Sequence, residues 1–187
     1  MFIDLTLGIT QEMISNAQEN EKLALNGHLG THIDIMKKTF PLEYLERKAI
    51  AFDVTLIHER DIDVIDIDFE LIRENMCIVF YTGYVEKVTY GSKQYFQEHP
   101  QLSHTLINKA LEAKISLLAI DCAGVRRHGE HRIADQLCAD NNVFIIENIC
   151  NIKSLLLNNR SKEFTANTYP LNYLDATGLP CRMVAKI

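Results

Sequence analysis

The strongest constraint on this chain is a recurrence of short, continuous apolar runs, each ended by polar or turn-forming residues. They fall at residues 2–6, 31–36, 49–57, 77–82, 115–121, 143–147 and 181–185. Runs of this length read as strands. Most are continuous rather than alternating in polarity, which suits strands covered on both faces. Segments with helical spacing lie between them. In the clearest, residues 103–114, Leu106, Ile107, Ala110 and Leu111 recur behind Ser103, whose hydroxyl suits an N-cap. A second covers residues 130–140, with Ile133, Leu137 and Cys138 on one side, and shorter helices are expected at 42–47, 68–75 and 152–157. Strands interleaved with helices predict an α/β domain with a mixed β-sheet core and flanking helices. The chain has 187 residues, 47% of them hydrophobic, with no long linker-like stretch and no repeat, so residues 1–187 are expected to form one domain.

A formal net charge of -6 offers no basic surface for phosphates, and nucleic acid is not expected as a partner. The N-terminal apolar run carries Asp4 and lacks a basic flank, so it does not read as a signal peptide. No uninterrupted apolar stretch approaches the ~18 residues a membrane span needs. Five cysteines, at 77, 122, 138, 150 and 181, form an odd set without a C-x-x-C pair. That argues against a disulfide framework or a zinc knuckle and suits a reducing cytoplasm.

The chemistry concentrates in Asn26-Gly-His-Leu-Gly-Thr-His-Ile-Asp-Ile, which sets His28, His32 and Asp34 within seven residues. All three side chains bind divalent metals. On a helix His28 and His32 would share a face, but Asp34 would lie roughly opposite at ~100° per residue, and Gly30 would weaken the helix. On one straight strand the two histidines would sit ~13 Å apart, too far for one ion. A bend is therefore required. Gly27 and Gly30 permit a tight turn, after which residues 31–35 can run as a strand with His32 and Asp34 on one face and Ile33 and Ile35 toward the core. The same residues could instead only satisfy hydrogen bonds at a strand end.

This segment resembles the metal-dependent cyclase and kynurenine formamidase family, whose hallmark is H-x-G-T-H-x-D-x-P-x-H. His28-Leu-Gly30-Thr31-His32-Ile-Asp34 matches the first seven positions. Asp4-Leu5-Thr6, Thr82-Gly83-Tyr84, Ile120-Asp121, Ile146-Glu147-Asn148, Pro170-Leu171 and Pro180-Cys181-Arg182 resemble further family segments in the same order. The resemblance implies a swivelling β/β/α-type domain, a homo-oligomer (dimer or tetramer), and one or two zinc or manganese ions. It further implies that His28, His32 and Asp34 bind one ion, with Asp34 bridging to a second site that Glu147 serves.

The sequence departs from the pattern at three places. The family proline falls at Met36, and the family's catalytic histidine falls at Lys38, which is either a proton-transfer residue or a solvated cation. Counting back from Glu147 to the family's second-site histidine reaches Asp135, with His131 one helical turn earlier. On a helix these two are i,i+4 neighbours, so either could serve the second site while the other orients it. An Asp ligand would make that site harder and favour manganese or magnesium. The donor-rich run Arg126-Arg127-His128-Gly-Glu130-His131-Arg132 could receive a substrate carboxylate or phosphate, or be a solvated loop. Cys122 and Cys138 have no local base, and buried packing is expected of them.

These features point to a metal-dependent hydrolase that attacks an amide, cyclic amide or related acyl bond of a small molecule with metal-activated water. Lys38 or His131 would transfer the proton. The alternative is a non-catalytic metal-containing binding or scaffold protein.

Overall fold

The computed structural model describes residues 1–18 and 27–187. Among the described residues, eight strands form one sheet: β1 (Phe2–Asp4), β2 (His32–Asp34), β3 (Glu46–Asp53), β4 (Cys77–Tyr81), β5 (Leu117–Ile120), β6 (Phe144–Glu147), β7 (Ser161–Pro170) and β8 (Gly178–Lys186). Their order is β1-β8-β2-β6-β5-β4-β3-β7, and β7 also pairs with β8. Seven strands thus close on themselves, while β1 adds to the end of β8. The run β3-β4-β5-β6 is parallel and the other pairings are antiparallel.

The helices are α1 (Gln11–Gln18), α2 (Tyr84–Lys87), α3 (Lys93–Gln97), α4 (His104–Glu112), α5 (His131–Asp140) and α6 (Ile152–Leu156). Parallel neighbours need crossovers. The chain makes them through α2, α3 and α4 between β4 and β5, and through α5 between β5 and β6. No helix among the described residues is long and apolar enough to cross a membrane.

Strand alternation sorts the side chains into two cores. Ile33, Ala49, Ala51, Val79, Ala119 and Ile146 belong to the cluster inside the closed sheet, joined by Ile152, Leu155 and Leu156 of α6. Small residues recur there because the strands crowd one another across the interior. The alternate residues Ile50, Phe52, Ile78, Phe80, Leu118 and Ile145 face outward into a second cluster, under Leu106, Ile107 and Ala110 of α4 and Ala134 and Cys138 of α5. Both faces of the central strands are covered, as their continuous apolar runs require.

Several expectations need correction. The Ser103 N-cap accepts from Leu106 N as expected, but residues 42–47 form only a 3-10 turn, Leu42–Leu45, before β3 starts at Glu46. Residues 68–75 likewise reduce to a 3-10 turn at Phe69–Leu71. Strand β7, with its mixed sequence Ser-Lys-Glu-Phe-Thr-Ala-Asn-Thr-Tyr-Pro, and helices α1, α2 and α3 were not foreseen. In α5, Ile133 and Leu137 are 67% and 41% exposed, and Ala134, Asp135, Cys138 and Ala139 form the buried side. The helix presents its carboxylate inward, against the apolar preference of its own sequence.

Three of the family-like segments meet their counterparts across the fold. Arg182 holds Asp4 at 2.7 and 3.1 Å. Asp121 accepts from the Thr82 and Gly83 amides at 2.9 and 2.7 Å and from the Thr82 hydroxyl at 2.6 Å, which fixes the turn after β4. Asn148 donates to the Gly30 carbonyl at 3.0 Å.

Candidate metal centre

Register places the cluster. His32 lies opposite Glu147, Ile33 opposite Ile146 and Asp34 opposite Ile145. Since Ile33 and Ile146 point into the closed sheet, His32, Asp34 and Glu147 must point out of it, toward α5. From α5, His131 and Asp135 reach the same space at i,i+4 spacing. His28 arrives from the preceding turn, where Gly27 and Gly30 hold φ of 78° and 68°.

Two further glycines make room for the rings. A Cβ on Gly178, the register partner of Asp34, would lie 2.9–3.0 Å from three atoms of the His28 imidazole. One on Gly124 would come within 2.5 Å of His131 Nδ1. Neither glycine was singled out in the sequence, because the constraint comes from a ring more than a hundred positions away for Gly178 and from a loop-to-helix contact for Gly124.

The donor atoms converge. His28 Nδ1 is 3.0 Å from His32 Nε2 and 3.1 Å from Asp34 Oδ1, and His32 Nε2 is 3.6 Å from that same oxygen. Glu147 Oε2 is 3.5 Å from His32 Nε2, and Glu147 Oε1 is 3.5 Å from His131 Nε2. His131 Nε2 is also 3.2 Å from Asp135 Oδ2. Two groups result, His28–His32–Asp34 and Asp34–His131–Asp135–Glu147, each with donor atoms within 4.8 Å of one another. Asp34 belongs to both.

The far side of each ring is anchored, as metal-binding histidines require. The Gly30 carbonyl can only accept, so His32 Nδ1, 2.9 Å away, carries the proton and Nε2 turns its lone pair to the cluster. His28 Nε2 is 2.9 Å from Thr177 Oγ1, leaving Nδ1 for the cluster. His131 makes its second contact with the Arg126 backbone.

Charge decides what this arrangement can hold. Both oxygens of Asp34, Oδ1 of Asp135 and Oε1 of Glu147 are buried without a hydrogen-bond donor among the described residues. Burial, reinforced by the Asp34 charge, raises Asp135 to about 9 and pushes Glu147 well above the usual carboxylate range. Burial also opposes ionisation of Asp34, but in the metal-free protein attraction to His32 and His28 in their protonated form outweighs it and holds its pKa low. Burial lowers His131. Three carboxylates with donor-less oxygens, gathered with three imidazoles in two groups, fit divalent cations.

The centre opens to a cleft of about 400 Å³ lined by His28, His32, Phe96, Gln97, Ala123, His128, His131, Glu147 and Asn148. All five residues expected to bind metal are therefore gathered, with His131 beside Asp135 rather than in place of it. Lys38 is not among them. Just after β2, Met36 and Lys37 are left-handed, and the Lys38 ammonium, half exposed, is 2.7 Å from Asp140 Oδ1 at the opposite end of α5 from His131. Arg126 is no free anchor for a substrate anion either. It is buried, and Asp61 and the Leu102 carbonyl, both at 2.6 Å, together with Glu130, take up its guanidinium. Cys122 and Cys138 are buried, and burial pushes the Cys138 thiol up to about 12. Phe96 and Gln97, on α3, are cleft residues that no sequence motif announced.

The Cyclase family is matched over residues 3–127, more than half of the chain, and the chain belongs to that family. The match covers His28, His32 and Asp34 and stops before His131. Solved structures share the whole fold. One described as a potential metal-dependent hydrolase with cyclase activity aligns with a TM-score of 0.77 at 21% identity, covering 99% of this chain and 96% of that one. Isatin hydrolase A from Labrenzia aggregata, bound to benzyl benzoate, gives 0.74 at 16% identity, over 99% and 93%. An isatin hydrolase bound to the product analogue thioisatinate gives 0.70 at 18%, over 84% and 71%. Comparison with curated proteins finds no match.

Proposed function

We propose that this chain is a metal-dependent hydrolase of an amide, cyclic amide or related acyl bond in a small molecule. The observation that carries the reading is the convergence of six buried or half-buried ligand side chains, with donor-less carboxylate oxygens, beneath an open cleft. His28, His32 and Asp34 would hold one zinc or manganese ion, and Asp34, His131, Asp135 and Glu147 a second. When bound, a divalent ion supplies Lewis acidity and makes water acidic enough to attack an sp² carbon near neutral pH.

The other residues of the cleft supply the rest. Phe96 offers an apolar wall and Gln97 an amide for hydrogen bonding, the combination usual in small-molecule sites. His131 is assigned to ligation, because its Nε2 faces Asp135 and Glu147. Lys38, engaged by Asp140, is given no proton-transfer role. That role falls to His128, the titratable side chain of the cleft wall outside the two ligand groups. Apolar side chains exposed around one groove, Leu42, Leu171 and Leu174, support a homo-oligomer.

The test is a screen of metal-reconstituted protein against formanilide-type amides, cyclic imides and lactones. Hydrolysis that stops on chelation and in His128→Gln, with metal retained in that variant, is the expected result. The position of Lys38 favours one competing reading, a metal-containing binding protein. Bound metal without turnover on any of these substrates would support it.

A further inference from the structure

Asp34 divides the cluster into two chemically unequal groups. On one side it meets two imidazoles, His28 and His32; on the other it meets one imidazole, His131, and two more carboxylates, Asp135 and Glu147. Nitrogen-rich sites suit zinc, and carboxylate-rich sites suit harder ions such as manganese and magnesium. Zinc binds more tightly than manganese at most single sites, so what differs between the groups is the margin. It is wide at the first and narrow at the second.

Burial adds a count of charge. Asp34, Asp135 and Glu147 are each at most 4% exposed. One dication leaves three ionised carboxylates with a net negative charge among largely buried side chains. A second reverses the sign by one unit, which an anionic ligand entering the cleft would neutralise.

We propose that the centre is heterodinuclear, with zinc in the His28–His32–Asp34 group and a hard ion, manganese, in the Asp34–His131–Asp135–Glu147 group. Asp135 is the residue that selects the second ion. The inference rests on the reading of this cluster as a metal centre. Because Asp135 and His131 stand one turn apart on α5, an imidazole placed at 135 would occupy the same side of the helix and make the second group resemble the first.

The experiment offers chelator-stripped protein one equivalent of zinc and an excess of manganese. After desalting, elemental analysis and manganese electron paramagnetic resonance are read. The expected result is one zinc and one protein-bound manganese per chain. Asp135→His should weaken manganese binding on the order of tenfold or more, the scale on which changes around a metal act, and take a second zinc instead. His28→Ala should lose zinc and keep manganese. The proposal is overturned if no manganese stays beside zinc in the wild type, if Asp135→His holds manganese as tightly, or if His28→Ala loses manganese and keeps zinc. Failure to bind any metal would remove the metal centre itself. The expected split without hydrolysis would support the heterodinuclear assignment and count against the hydrolase reading alone.

Discussion

Two aspartates of α5 stand beside basic side chains in opposite circumstances. Midway along the helix, Asp135 is buried next to His131 and two further carboxylates, with one oxygen lacking any donor among the described residues. At the last residue, Asp140 and Lys38 form a close pair in which both side chains are about half exposed. Geometry alone does not separate the two pairs. Solvent does: water already screens the outer pair, so little depends on it, whereas the inner group is incomplete until a cation arrives.

The contrast can be broken most sharply at Asp34, which serves both ligand groups. Asp34→Ala should remove every tightly bound ion and all turnover, whereas His28→Ala should remove one ion; elemental analysis of the purified variants reads the difference. Equal, undiminished metal content in both variants would end the assignment. Next in size is the ion's contribution to stability. Loading the stripped protein should raise the unfolding free energy by about 2.7 kcal/mol at a hundred times Kd, and a chelator should reverse it. Denaturant melts with and without metal measure this.

A steric test of similar direction is Gly178→Ala, whose added methyl would press on the His28 ring. It should weaken metal binding at the His28 group and leave Asp135-dependent binding in place, as calorimetric titration would show. The pH response follows from burial. In metal-free protein Asp135 titrates at about 9 when folded, against 3.8 ordinarily. Between those values the unfolded chain has lost a proton that the folded chain keeps, so this group makes stability fall as pH rises. Glu147 acts in the same direction. Burial lowers His131 and His99, which act oppositely below pH 6.5; thermal melts of the stripped protein should therefore decline from pH 7 to about 9, and added metal, which binds the deprotonated groups, should flatten the decline. The smallest effect is expected at the outer pair: Lys38→Ala should leave metal content unchanged and the melting temperature close to that of the wild type.

Much of this arrangement was legible in the sequence where local rules decide. The glycine turn, the strand after it and the partition of His32 and Asp34 from Ile33 all follow from spacing and alternation. Ser103 marked its helix because capping is a local interaction. What escaped depends on partners distant in the chain. Strand β7 has no apolar run, since its pairing with β3 and β8 rather than its composition makes it a strand. The face of α5 was misjudged because Asp135 is drawn inward by the cluster while Ile133 and Leu137 are left outside. Asp135 and His131 read as alternatives when only the register with Glu147 could show them together. The left-handed turn after β2 that carries Lys38 to Asp140 is likewise not written in the motif.

Gly178 and Thr177 have a consequence in time as well as space. They close around His28 from a segment whose Thr177 lies 149 positions later in the chain. During synthesis the ribosome releases His28, His32 and Asp34 early, yet the far wall of their pocket emerges only with β8. Such distant pairings form slowly, after much of the chain is free to search. The wall of the His28 pocket is therefore completed late, when β8 docks beside β2.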